Sequence, residues 1–154
     1  MTSVKSIDIT DMEFMRLPEL PEGLEVLICS YNLLTSLSGL PKTVKYLKCN
    51  ENSLTSLPNL PEWLGMLFCY NNELTSLPDL PKGLEILHCD NNKLTSLPEL
   101  PKSLVELRCK NNKFIEPYKT FVEIYQKTKN INLLREKVNK YLANVPKEAK
   151  QEGG

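Results

Sequence analysis

The sequence predicts a repeat solenoid, in which short parallel β-strands stack along a concave face. The convex side is expected to be extended and polyproline-like, and helices are expected to cap the C-terminal end. Three observations predict this fold. The sequence matches itself when it is shifted by twenty residues, its apolar residues recur at fixed places in each unit, and the period stops after Phe114. A fixed period of this size is typical of repeat architectures.

The clearest unit spans residues 84–103, and four other units repeat it. The five units start at Leu24, Val44, Leu64, Leu84 and Leu104. Each carries Leu or Val, x, x, Leu, x, Cys, x, x, Asn, x, and Leu or Phe, which is the leucine-rich repeat signature with Cys at a place where Leu is also common. A Leu-Pro-x-Leu-Pro tag precedes the strand at residues 17–21, 57–61, 77–81 and 97–101. The unit therefore resembles the short, twenty-residue bacterial class of leucine-rich repeat.

That class is familiar from secreted effectors of bacterial pathogens, and similar arrays occur in giant viruses of amoebae. The resemblance is specific for fold, but one fold serves many functions. It implies a single domain with four parts. Residues 1–23 form a degenerate N-terminal capping repeat, residues 24–114 form five leucine-rich repeats, residues 115–145 form a helical cap, and residues 146–154 form a disordered tail.

Within a unit, the first seven residues are expected to contain the strand. Side chains alternate between the two faces of a strand, so positions one, four and six should turn inward while positions three, five and seven face the concave side. Leucines at positions eleven, fourteen and seventeen close the core from behind. Proline fixes φ and lacks an N–H, so the return segment should be extended rather than helical.

The period breaks where two helices are expected. Pro117 suits a helix first turn. An apolar face is predicted for the first helix at Phe121, Ile124, Tyr125 and Thr128. Asn130 or Asn132 is expected to cap the second helix. Its apolar face comprises Leu134, Val138, Tyr141 and Leu142.

Composition narrows the class of partner. The 154 residues contain 19 Lys or Arg and 19 Asp or Glu, so no broad charge favours nucleic acid or a membrane surface. No apolar stretch approaches the ~20 residues that span a bilayer, and residues 1–8 lack the apolar run of a secretory signal. We therefore expect a cytoplasmic monomer, or a protein of the host cytoplasm if the chain is exported or viral.

The cysteines recur at position six and are expected to form an inward ladder of small buried side chains. They are Cys29, Cys49, Cys69, Cys89 and Cys109. Parallel strands lie about 4.8 Å apart, which is wider than the Cβ separation of about 3.8 Å that a disulfide prefers. No Cys-x-x-Cys occurs, so the sequence predicts no metal and no cofactor. A thiol-dependent metal or redox protein is the alternative.

A second ladder consists of asparagines at position nine. An amide has donors and an acceptor, so it can satisfy backbone groups at the bend after the strand. The resemblance likewise implies hydrogen bonds to neighbouring turns. The ladder residues are Asn32, Asn52, Asn72, Asn92 and Asn112.

The concave face is the predicted partner site. Apolar residues occupy its middle and polar residues gather at its ends, and an exposed apolar patch with a polar rim marks an interaction surface. The alternative is that these residues are only strand formers on an open sheet. The candidates are Val26, Ile28, Tyr46, Lys48, Met66, Phe68, Tyr70, Ile86, His88 and Arg108.

No catalytic residue is predicted. There is no nucleophile–base arrangement, phosphate-binding glycine loop or His-Glu-x-x-His motif. His88 has no evident carboxylate partner, and its ladder neighbours Phe68 and Arg108 favour stacking.

Trp63, just before a strand, is a second candidate for contact with a partner, at the edge of the sheet.

The sequence thus favours a non-catalytic module that binds a protein or peptide on its concave face. The resemblance offers an alternative, because some effectors join this repeat type to a ubiquitin-ligase domain with a catalytic cysteine. Since every cysteine here belongs to the ladder, this chain would supply only substrate recognition in such a system.

Overall fold

The structure is a computed structural model that describes residues 4–146. Six short strands recur every twenty residues and are followed by two helices. The strands are β1 (Ser6–Asp8), β2 (Val26–Ile28), β3 (Tyr46–Lys48), β4 (Met66–Phe68), β5 (Ile86–His88) and β6 (Glu106–Arg108). The helices are α1 (Tyr118–Thr128) and α2 (Ile131–Asn144).

The six strands form one parallel sheet in the order of the chain. Each residue pairs with the residue twenty positions later, as Leu27 does with Leu47 and Leu47 with Leu67. The stack therefore climbs one strand per sequence repeat, and no helix occurs on the return segments within residues 4–117. The predicted leucine-rich repeat solenoid with an extended convex side is confirmed.

The core runs along the axis of the stack behind the sheet. Residues at positions one, four, six and eleven of the middle units are fully buried, because successive turns cover each other's apolar side chains. The leucines on the convex side are buried less evenly: Leu37 and Leu97 are buried, whereas Leu57 and Leu77 are half-buried. Stacking, rather than any single unit, thus makes the core.

The N-terminal unit is a reduced version of the others. Ile7, Ile9 and Phe14 are half-buried and contact the core of the first full repeat. Asp8 lies on the outermost strand and accepts hydrogen bonds from the backbone N–H and the hydroxyl of Thr10. A charged side chain on an edge strand discourages pairing with another chain.

The two helices cover the last repeat. Tyr118 and Val122 of α1, and Leu134 and Val138 of α2, are buried against the core. The Asn130 side chain caps α2 by accepting the Leu133 N–H at 3.0 Å. The predicted apolar face of α1 is partly wrong. The apolar face also includes Val122, which is buried, whereas Thr128 at the end of the helix is exposed and its hydroxyl donates to the Ile124 carbonyl one turn earlier.

The predicted tail begins at residue 146, and residues 147–154 of it lie outside the described residues, as do residues 1–3. No helix within residues 4–146 has the length and hydropathy to cross a bilayer.

Candidate functional site

The centre of the concave face holds an aromatic cluster, which we define as Tyr46, Phe68, Tyr70 and His88. The Phe68 ring centroid lies 5.4 Å from that of Tyr46 and 4.8 Å from that of His88, with the His88 ring edge-on to it. The Tyr70 ring lies 6.5 Å from the imidazole. Phe68 and His88 are register partners on β4 and β5, so the sheet itself sets their contact. Rings at these separations attract each other beyond simple area burial.

The expectation of an exposed patch needs correction. Among the predicted partner residues only Arg108 is exposed; the other nine are half-buried. The reason is mutual coverage, since neighbouring side chains on adjacent strands shield one another. The large exposed apolar side chains of the described residues lie elsewhere, and Trp63 is 69% exposed. The concave face is therefore a tightly packed, partly accessible surface.

Position seven does not face solvent throughout the array. Ser30 and Asn50 are buried, and the Ser30 hydroxyl donates to Asn50 Oδ1 at 2.7 Å. The strands end at position five, so the alternation of faces no longer applies two residues later. Tyr70 and Asp90, at the same position in later units, are half-buried and line the concave cleft. Only part of this predicted row thus faces the site.

His88 has a carboxylate partner that the sequence analysis did not identify. Its Nε2 lies 2.5 Å from Glu106 Oε2, and the imidazole side chain is only 12% exposed. The hydrogen bond to His88 holds the pKa of Glu106 below its ordinary value. Glu106 occupies position three of the next unit, so it lies diagonally from His88. Comparing residues at the same position of successive units could not show this pair, because the two residues occupy different positions. A comparison of diagonal neighbours on adjacent strands could have shown it.

Two adjoining clefts open on the concave face near its C-terminal end. One, of about 380 Å³, is lined by Lys48, Asp90, Arg108 and three members of the aromatic cluster. The other, of about 420 Å³, lies between β6 and α1. Its lining adds Lys110, Tyr125, Gln126 and Lys129, which the sequence analysis did not name as partner residues. These residues come close to β6 only because α1 packs beside it, and the repeat pattern of the sequence does not predict that packing.

All five cysteines are buried and unpaired. Burial raises the pKa of Cys29, Cys69 and Cys109 to about 12, and that of Cys49 and Cys89 well above the ordinary value. A buried, protonated thiol is a poor nucleophile and a poor metal ligand. No group of three or more His, Cys, Asp or Glu side chains is arranged to hold a metal ion in residues 4–146.

The asparagine ladder forms hydrogen bonds between successive turns. Asn72 Nδ2 donates to the carbonyls of Cys49 and Cys69 at 3.1 Å, and Asn72 Oδ1 accepts the Leu54 N–H at 2.9 Å. The other ladder asparagines repeat this pattern with a shift of twenty residues. These amides are fully engaged with backbone, so they hold the array together and are not available to a ligand.

Three of the solved structures to which the chain is similar each cover 71% of it. One is YopM, a leucine-rich effector protein from Yersinia pestis, with 40% identity, a TM-score of 0.69 and 31% of its length covered. A Shigella effector leucine-rich repeat domain has 38% identity, a TM-score of 0.69 and 50% covered. YopM from Yersinia enterocolitica has 36% identity, a TM-score of 0.56 and 29% covered.

The chain thus spans about a third to a half of the length of the first two of these structures. No family model matches the chain, and no curated protein does. The twenty-residue register, the parallel six-stranded sheet and the likeness to effector repeat domains agree with one another. This chain is a leucine-rich repeat protein of the short, twenty-residue bacterial class.

Proposed function

We propose that this chain is a non-catalytic interaction module that binds a protein or peptide on its concave face. The observation that carries the proposal is the aromatic cluster beside a charged cleft. Rings of Tyr46, Phe68, Tyr70 and His88 contact one another at the centre of the sheet, and polar side chains surround them. Concave solenoid surfaces offer extended contact areas, and aromatic residues are enriched where partners bind.

The packing of the cluster favours binding in a second way. Side chains already held by their neighbours lose little rotamer freedom when a partner arrives. Phe68 is fixed on both sides, by Tyr46 at 5.4 Å and by His88 at 4.8 Å. His88 is fixed in turn by Glu106. A preorganised aromatic anchor of this kind is typical of the residues that dominate interface energetics.

The thiols support the non-catalytic part of the proposal. Covalent catalysis by cysteine requires a thiolate, and burial raises the pKa of all five thiols. Two carboxylates on the concave face, those of Glu106 and Asp90, accept hydrogen bonds within the site. The cleft therefore provides contacts rather than an activated nucleophile.

The proposal is tested by exchanging Tyr46, Phe68 and Tyr70 for serine in one variant. We expect unchanged far-ultraviolet circular dichroism, because the three side chains lie outside the core, and loss of partner capture in a pull-down from the native cell. The control exchanges Trp63 and Val105, which are exposed apolar side chains outside the aromatic cluster, for serine. Capture that survives the concave exchanges and fails with the control would place the partner elsewhere.

A second candidate is the substrate-recognition portion of an effector-type ubiquitin-ligase system. The observation that favours it is the likeness to a Shigella effector repeat domain of which the chain covers half. With all five thiols buried, this chain would rely on another polypeptide for the thioester step. Co-purification of a ligase component with the concave-face ligand would support this candidate, and a ligand captured without one would favour the simple binding module.

A further inference from the structure

The C-terminal end of the concave face carries an excess of cations. Arg108 extends from β6, Lys110 lies two residues later, and Lys129 directly follows α1; all three are exposed and line the same cleft of about 420 Å³. Ion pairs in the described part of the chain involve other residues, so none of these three cations is neutralised by one. Lys48 lines the adjoining cleft on the far side of the aromatic cluster, but Asp8 balances its charge: hydrogen bonds from Thr10, and to a smaller extent the Lys48 charge, lower the pKa of Asp8.

The neighbouring carboxylates are already engaged. Asp90 Oδ1 accepts the backbone N–H of Lys110 at 2.8 Å, and Glu106 binds His88. The His88 hydrogen bond, and to a smaller extent the Arg108 charge, lower the pKa of Glu106. Around the C-terminal cleft, the three cations Arg108, Lys110 and Lys129 stand against two carboxylates, which leaves an excess of one positive charge, whereas the whole chain has a formal net charge of zero.

The position of Lys129 is set by the helical cap. The Tyr125 hydroxyl donates to the Leu107 carbonyl at 2.9 Å, which fixes α1 against β6. Lys129 adopts a left-handed conformation, and its N–H donates to the Tyr125 carbonyl at 2.7 Å. The end of α1 is thereby held beside the last strand, and its lysine joins the cations of β6 in one cleft.

From this arrangement we infer that the partner is an extended acidic peptide segment. A large apolar side chain of the peptide contacts the aromatic cluster, and Asp or Glu side chains next to it bind Arg108, Lys110 and Lys129. The two clefts share Asp90 and Arg108, so one continuous segment reaches both. Arginine pairs with carboxylates through two parallel hydrogen bonds, and an unpaired cation gains from such a partner. This inference rests on the proposed function and names the chemistry of its partner.

A random peptide library displayed on phage tests the inference with the full chain as bait. We expect the selected peptides to combine a large apolar residue with two or more Asp or Glu. Selection on an Arg108→Glu, Lys110→Glu variant should instead enrich Lys or Arg. The matched control, Lys42→Glu with Lys82→Glu, makes the same charge change at exposed lysines away from the clefts, and should select the same peptides as the native chain.

A synthetic copy of the most enriched peptide then gives the affinity. Three neutral exchanges, Arg108→Gln, Lys110→Gln and Lys129→Asn, should weaken binding about tenfold, since each exposed ion pair contributes modestly. Asparagine is chosen at residue 129 because it tolerates the left-handed conformation. Raising the ionic strength should weaken the native complex and affect the neutral variant much less.

Two outcomes overturn the inference and separate it from the proposed function. Peptides that lose binding on the Tyr46, Phe68 and Tyr70 serine variant, yet show no acidic preference, leave the concave site standing and exclude an acidic partner. A library that yields no peptide sensitive to that serine variant overturns both.

Discussion

The side chain of Asn139 binds both polar groups of the Leu100 backbone. Its Oδ1 accepts the Leu100 N–H at 2.8 Å, and its Nδ2 donates to the Leu100 carbonyl at 2.9 Å. Leu100 is buried on the return segment of the unit that spans residues 84–103, so these groups have little access to water. The helical cap therefore satisfies backbone groups of this return segment as well as covering the apolar side chains at the end of the array.

Asn139→Ala should lower the free energy of unfolding by about 2 kcal/mol, because it leaves a buried N–H and a buried carbonyl without partners. Chemical denaturation monitored by circular dichroism measures the change. Lys140→Ala, on the exposed side of the same helix, is the control and should stay within about 0.5 kcal/mol of the native chain. Equal effects of the two exchanges would contradict this role of Asn139.

Leu67→Asp should unfold the array. Leu67 is fully buried on the central strand β4, and a carboxylate placed there loses its hydration without gaining a partner. The cost exceeds roughly 4 kcal/mol, a large share of the stability of a small domain. Leu33→Asp makes the same exchange at a leucine that is 53% exposed, and should leave the circular dichroism unchanged. A native spectrum for Leu67→Asp would mean that the register is wrong.

Asn72→Ala tests the asparagine ladder. It removes the partners of the Cys49 and Cys69 carbonyls and of the Leu54 N–H, so we expect a loss of roughly 3 kcal/mol. Asn59→Ala, on the exposed convex side, is the control and should be nearly neutral. If the two variants had the same denaturation midpoint, the ladder would contribute little to stability.

The buried thiols make stability depend on alkaline pH. Burial raises the pKa of Cys29, Cys69 and Cys109 to about 12 in the folded state and also raises the pKa of the other two thiols, whereas an unfolded cysteine loses its proton near pH ~9. Above pH ~9 the unfolded state therefore binds fewer protons than the folded state, and the free energy of unfolding falls as pH rises. Denaturation at pH 8 and pH 10 measures this slope. A Cys49→Ala, Cys69→Ala variant should show a shallower slope than the native chain; an identical slope would contradict the thiol assignment.

The period made much of the architecture predictable. Residues that occupy the same position in successive units pair with one another in the sheet, as Leu27, Leu47 and Leu67 show. The alternation of side chains between the two faces then follows from strand geometry. Features that depend on how different elements meet were not predictable. The hydrogen bonds between Asn139 and Leu100 join α2 to a repeat 39 residues earlier, and no sequence pattern in either segment predicts them.

Strand alternation predicted which side chains share the concave face better than it predicted how exposed they are. Strand alternation placed Tyr46, Phe68 and His88 on one face, and their ring contacts agree with that placement. Their partial burial arises from contacts between side chains on neighbouring strands. The order of residues at one position of the repeat does not predict those contacts. The cations of the second cleft come from β6 and α1 together, so they required the packing of the cap.

Site-specific photo-crosslinking tests the central claim most directly. A benzophenone side chain replaces Met66, which lies on the concave face of β4, in one protein, and Trp63, which lies at the edge just before the strand, in another. A partner bound on the concave face should be cross-linked from residue 66 and not from residue 63. Cross-links formed only from residue 63 would contradict a concave binding site.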